Sequence, residues 1–156
     1  MTITEKLKKL KITLPPPPVP VAAYVPAVTA GDLVFISGTL PMKEGKLLYA
    51  GKLGQEVTLE QGSECARQAV LNALATLQKQ IGDLDRVKQI VRLGGFVASA
   101  EGFTQQAQVL NGASLLLGEI FEERGKHVRA AVGAAELPLN APVEIELIVQ
   151  IRDKTG

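Results

Sequence analysis

The chain has 156 residues, the size of one domain, and 46% of them are hydrophobic against 21% charged, enough apolar material for a core without disulfide or metal staples. A formal net charge of +1, with no basic tract beyond Lys6–Lys11, argues against a nucleic-acid-binding surface. A lone cysteine, Cys65, excludes an intrachain disulfide and fits a reducing, cytoplasmic setting, and no apolar run has the length of a signal peptide or a membrane span.

Thr2 and Glu5 stand at capping-box spacing and predict a short helix over Thr2–Leu10, with Ile3, Leu7 and Leu10 on one face. The run Pro15–Pro18 cannot continue a helix and reads as extended, polyproline-like chain. Residues 1–18 are therefore expected as an N-terminal extension, lying over the domain of residues 19–156 or left as a tail. Leu33–Ser37 reads as a buried strand broken by Gly38 and Pro41. A turn at Gly45 makes Leu47–Ala50 a candidate hairpin partner.

Thr58, with Gln61 three residues on, opens a helix whose Ala66, Ala69, Val70, Ala73, Leu74, Leu77 and Ile81 share one face. Arg67, Asn72, Gln78 and Lys79 fall off that face, and Gly82 suits the C-terminal cap. Val87–Ser99 reads as a strand in which Gly94 and Gly95 signal a bulge or a close approach of backbone. A second helix is expected from Glu101 to Arg124, with Phe103, Ala107, Leu110, Ser114, Leu117 and Phe121 toward the core and Gly125 as its stop. Val128–Leu137 and Val143–Ile151 are the last strands. In the latter Val143, Ile145, Leu147, Val149 and Ile151 point one way, and Glu144, Glu146, Ile148 and Gln150 the other.

Helices that alternate with strands predict crossover units in one mixed sheet, with both helices on one face. The other face is then bare, yet Phe35 or Val34, Ile90 or Phe96, and Ile148 put apolar side chains there. A bare, partly apolar sheet face predicts an oligomer.

Several chemistries have no motif here. His127 and Cys65 are the only His and Cys, so a thiolate or imidazole metal site is not expected. There is no phosphate loop, no dinucleotide fingerprint and no Gly-x-Ser-x-Gly elbow. What remains is Arg129 and Glu144, on what read as neighbouring strands. Arg129 shares its parity with the small Ala131, Gly133 and Ala135, which leaves room for a ligand. An arginine beside such space can hold a carboxylate by two hydrogen bonds, and a glutamate can activate water. From spacing alone the two also fit an ordinary cross-strand ion pair. Taken singly, Tyr24 fits a packing residue, Asn111 a polar helix position and Cys65 an inert buried thiol. His127 fits a residue at a helix end, and Glu146 an interface or solvent-facing charge.

Three segments in order carry a family resemblance over about Val21–Arg152: Ala23-Tyr24-Val25-Pro26-Ala27, Phe35-Ile36-Ser37-Gly38-Thr39-Leu40-Pro41, and the run from Arg129 through Leu137-Pro138 to Val143-Glu144-Ile145-Glu146. At these residues the chain resembles the RidA/YjgF family, the reactive-intermediate imine deaminases, and in particular a longer branch of it. The resemblance implies an α+β, chorismate-mutase-like fold, with a mixed sheet and two helices on one face, closed as a homotrimeric barrel with clefts between subunits. It implies hydrolysis of a reactive 2-imino or enamino acid to a 2-oxo acid and ammonia, with no metal or organic cofactor. Arg129 would grip the substrate carboxylate and Glu144 would position the attacking water. Tyr24, Ser37, Gly38, Asn111 and Ala131 would line the cleft. A non-catalytic trimer that binds small carboxylates is the alternative, and RNA cleavage a lesser one, disfavoured by near-neutral charge and 4% aromatic content. Ala130 and Ala131 stand where the deaminase pattern has Ser and Cys, and Thr39 replaces a Gln, so the carboxylate anchor is kept while the cleft wall changes.

Overall fold

The computed structural model describes residues 1–20 and 22–154. Val21, where the resemblance begins, and the final Thr155 and Gly156 lie outside the described residues. Among the described residues there are seven strands: β1 (Ala27–Ala30), β2 (Leu33–Thr39), β3 (Met42–Lys43), β4 (Lys46–Leu47), β5 (Val87–Ala98), β6 (Val128–Ala134) and β7 (Val143–Ile151). The three α-helices are α1 (Ile3–Lys9), α2 (Leu59–Ile81) and α3 (Gln106–Phe121). No helix among the described residues is long and apolar enough to cross a membrane.

The main sheet runs β1-β2-β7-β5-β6, while β3 and β4 form a separate hairpin. Only β5 and β6 pair in parallel, joined by α3; β7 runs antiparallel to β2 on one side and to β5 on the other. Both long helices lie on one face, as the crossover argument requires. The predicted apolar face of α2 is buried in full, and Thr58 with Gln61 forms the capping box.

The second helix departs from its expected span. Glu101–Gln105 form turns and coil rather than helix, and Gln105 caps α3 without a side-chain hydrogen bond. Its buried face is Val109, Leu110, Ala113, Leu116, Leu117, Ile120 and Phe121, so Ala107 is exposed and Ser114 only half-buried. β6 stops at Ala134, three residues before the expected end, and β1 was not anticipated. Asn72 is also buried rather than peripheral. Its Nδ2 donates to the carbonyls of Leu40 (3.0 Å) and Met42 (2.9 Å) and pins the loop that leaves β2.

The N-terminal extension is docked. Thr2 and Glu5 complete the capping box of α1, Ile3 and Leu7 join the hydrophobic core, and the Ile3 amide donates to Asp85 Oδ1 at 2.8 Å. The chain then packs Leu10, Ile12 and Leu14 against the core before entering its proline run.

One of the two strand glycines explains how α3 reaches the sheet. A Cβ on Gly95 would collide with the Leu110 side chain, which is fully buried and cannot move aside. Gly95→Ala is expected to destabilise the fold by ~1–3 kcal/mol, the usual penalty for an extra carbon forced into a filled core. Urea unfolding monitored by circular dichroism measures it.

Candidate functional site

The residues expected to form the site separate into two groups on opposite faces of the sheet. Arg129 pairs in register with Leu93, which is buried beneath the helices, and Ala131 pairs with Gly95. Glu144 pairs with Phe96, which faces the bare side with Val132. β5 lies between β6 and β7, so Arg129 and Glu144 are not on neighbouring strands and form no cross-strand pair. The expectation of adjacent strands is thereby corrected. The reversal arises because β7, last in sequence, inserts between β2 and β5.

The arginine group is built on α3. Arg129 Nη1 donates to Asn111 Oδ1 at 3.0 Å and to Ser114 Oγ at 3.1 Å, and Nη2 donates to the Ala107 carbonyl at 3.3 Å. A guanidinium carries five N–H donors. These three bonds leave the Nε hydrogen and one Nη2 hydrogen without a partner among the described residues, a fork suited to a carboxylate. His127 completes the group. Its Nδ1 lies 2.6 Å from the Gly125 carbonyl, an acceptor, so Nδ1 carries the proton and Nε2 accepts from Ser114 Oγ at 2.9 Å. Ser114 thus takes a hydrogen bond from Arg129 and passes one to His127. These side chains border an open depression of about 380 Å³ with Gly118 and Lys126. Ala131 is half-buried, packs against the core and lines neither this depression nor the cavity beside Gly38, so the space expected at its parity is not found there.

The glutamate group surrounds β2. Ser37 Oγ donates to the Val25 carbonyl at 2.7 Å and the Ser37 amide to the Pro26 carbonyl at 2.9 Å, which ties the Tyr24 segment to the strand. The pairing of β2 with β7 shifts between Ile36 and Thr39, and Gly38 sits in that irregularity. A Cβ on Gly38 would collide with Glu144 Oε1, so glycine is what lets the carboxylate lie against this backbone. Tyr24, Ser37 and Gly38 line a cavity of about 210 Å³ at this place, together with Pro18–Pro20, Leu40, Met42, Thr76 and Leu139.

Two carboxylates share the bare face and differ in their partners. Glu146 is engaged by Arg92 at 2.8 Å. Glu144 has no hydrogen-bond or ion-pair partner among the described residues. Burial, and secondarily the neighbouring Glu146, raise its pKa above the ordinary glutamate value. Cys65 is buried with its pKa raised to about 11, chiefly by desolvation, and is an inert thiol as expected.

Sequence reasoning missed Ser114, His127, Asn72 and the contribution of Pro18–Pro20. Asn111 and Ser114, polar at i and i+3 on an apolar helix, was the signal available for the first.

Comparison with known proteins places this geometry. The sequence pattern described as "YjgF/chorismate_mutase-like, putative endoribonuclease" matches residues 5–151. The chain belongs to the YjgF/RidA family. It is 40% identical to Protein TCP17 of Trypanosoma cruzi over 152 residues, 97% of this chain and 95% of that one. A crystal structure of a "putative endoribonuclease" from Shewanella oneidensis superposes with a TM-score of 0.94 at 35% identity, covering 97% of this chain and 100% of that one. A 2-iminobutanoate/2-iminopropanoate deaminase of Dermatophagoides farinae is 29% identical over 141 residues, 90% of this chain and 94% of its own. The YjgF/chorismate-mutase-like α+β fold expected from the sequence is the one observed.

The raised pKa of Glu144 has a signed consequence for stability. A carboxyl whose pKa is raised by folding contributes stability below its unfolded pKa and loses it as pH rises through the folded one. Glu144→Gln is therefore expected to melt higher than wild type at neutral pH, with the two converging in acid. Thermal melts from about pH 4, near the unfolded glutamate pKa, upward check it. A lower melting temperature for the variant at neutral pH would mean that a cation from another copy pairs with Glu144.

Proposed function

We propose that the protein hydrolyses small 2-imino or enamino acids to 2-oxo acids and ammonia, at a site that two copies of the chain complete together. The observation that carries this reading is the pair of half-sites. One face holds a guanidinium with an open fork, and the other holds a half-buried carboxylate that lies against Gly38 and has no partner among the described residues. Similarity to an imine deaminase supports the reaction class. The bare sheet face supports assembly, because Val28, Phe35, Phe96 and Val132 leave apolar surface there. A homotrimer is the arrangement proposed.

The substrate carboxylate sits in the Arg129 fork, which Asn111 and Ser114 hold in place. Glu144 of another copy accepts a proton from water as its oxygen bonds to the imine carbon and the C=N π pair moves to nitrogen. That proton returns to the nitrogen and gives a neutral carbinolamine; Glu144 then takes the hydroxyl proton and delivers it to the amine as the C–N bond breaks, so that the carbonyl forms and NH3 leaves. Tyr24, Ser37 and Gly38 border the reacting groups. A carboxylate raised above its ordinary range is the stronger base for this step. The reaction calls for positioning and proton transfer and no cofactor. An RNA backbone asks for a basic groove, and the cavity beside Gly38 has no Lys or Arg in its wall.

The test uses imines generated from amino acids by an amino-acid oxidase, with release of 2-oxo acid followed over time. Glu144→Gln is expected to lower kcat by roughly 10²–10⁴-fold with less effect on binding. Arg129→Ala is expected to abolish carboxylate binding while the oligomer, measured by sedimentation, persists. Acceleration by neither wild type nor variants would leave a carboxylate-binding oligomer. Loss of assembly in Arg129→Ala would make the arginine structural. A second test addresses the shared site. Co-assembled Arg129→Ala and Glu144→Gln chains are expected to regain about a quarter of wild-type activity, the share of interfaces that pair an intact Arg with an intact Glu. No recovery would overturn the shared site.

A further inference from the structure

The extension residues Pro18–Pro20 wall the same cavity that Tyr24, Ser37 and Gly38 line, and Gly38 is the residue on which the Glu144 carboxylate rests. This wall is nearly all hydrocarbon: Pro18, Val19, Pro20, Leu40, Met42 and Leu139 face a space of about 210 Å³. Among the described residues, no Asp, Glu, Lys or Arg lines it. For scale, an apolar protein cavity of about 150 Å³ takes up benzene.

Two features show that these apolar groups are held at the cavity rather than left there. Leu139 is 69% exposed and adopts φ 58°, a left-handed conformation that a leucine rarely takes. Strain of this kind persists at ligand-binding positions. The extension is fixed at its N-terminal end. α1 is anchored by Ile3, Leu7 and an ion pair from Lys6 to Glu122 at 2.5 Å, and the prolines between Leu14 and Val19 keep the connecting chain stiff. Thr76, buried in α2, is the one polar side chain reaching this space from the helix layer.

We infer that the N-terminal extension is a fixed specificity wall, and that the site takes 2-imino acids with an uncharged branched aliphatic or aromatic side chain, which lodges against Pro18–Pro20 and Leu139. This inference rests on the deaminase reading for the reaction, but the fit of the side chain is tested separately.

Full-length wild type is compared with a chain carrying Pro18→Gly, Val19→Gly and Pro20→Gly together. Pro18 and Val19 are exposed, and a melting curve confirms that the variant folds. Imines made from leucine and from alanine by an amino-acid oxidase are the substrates. Binding of 4-methyl-2-oxopentanoate and of pyruvate is measured by calorimetry. Wild type is expected to prefer the leucine-derived imine in kcat/KM, and the variant to reduce that preference about tenfold, with the same loss in relative affinity for the two oxo acids. An unchanged ratio in the variant, a wild-type preference for the alanine-derived imine, or no binding of either oxo acid overturns the wall. Selective binding that the variant loses, without turnover of any imine, would sink the deaminase reading and keep the wall. Turnover without selectivity would do the reverse.

Discussion

Along β7, Val143, Ile145, Leu147, Val149 and Ile151 are buried beneath the helices, and every residue between them is half-buried on the opposite side. That alternation is the constraint on which the rest depends. A strand at the centre of the sheet, paired on both edges, cannot slip register without moving all its apolar side chains into water. It therefore fixes which face each residue of β2 and β5 occupies. It also leaves a second face that no helix of the chain covers. Phe35, Phe96 and Val132 stay partly exposed on it, around Glu144 and the Arg92–Glu146 pair.

On that face the local detail of β2 decides what Glu144 can do. Thr39 Oγ1 donates to the Ser37 carbonyl at 2.8 Å, and Asn72 holds the carbonyls of Leu40 and Met42. The strand end is thus tied to α2 while its register with β7 shifts. Gly38 is the residue at the shift whose missing side chain gives the carboxylate its place. Glu146, two residues on, lies in similar surroundings but has Arg92 as partner. The two carboxylates differ by the presence or absence of one guanidinium.

Most elements were legible because their signals are local. α2 has both halves of its capping box and an unbroken apolar face, and β7 has strict alternation. α3 began late because nothing caps it; Gln105 makes no side-chain bond, and Phe103 imitates the helical period from the preceding turn. β1 escaped notice because three of its four residues are exposed and carry no apolar pattern. The candidate residues could be picked out singly in the sequence, but their arrangement could not. Tyr24, Ser37 and Gly38 line one cavity, Glu144 lies against Gly38, and Arg129 bonds to Asn111, yet the relation between the groups depends on strand order. Strand order is a non-local property. No spacing between Arg129 and Glu144 could reveal that β5, some fifty residues earlier, separates them. Pro18–Pro20 were legible as extended chain, but where extended chain leads depends on what anchors its two ends.

The separation of Arg129 from Glu144 has a chemical logic. Were the two on one face and adjacent, they would form an ion pair, worth at most ~1 kcal/mol at such exposure. That pair would occupy the Arg129 fork and would lower the pKa of Glu144. With the sheet between them, neither group can satisfy the other within the chain. Arg129 is instead held by neutral acceptors, Asn111, Ser114 and the Ala107 carbonyl, which aim the guanidinium without neutralising it. Ser114 can accept from Arg129 because its own proton is committed to His127, whose tautomer the Gly125 carbonyl fixes. If two copies bring these faces together, the charges meet across whatever lies in the cleft. On the proposed mechanism, a ligand carboxylate between them pairs with the arginine and leaves the glutamate free to take a proton.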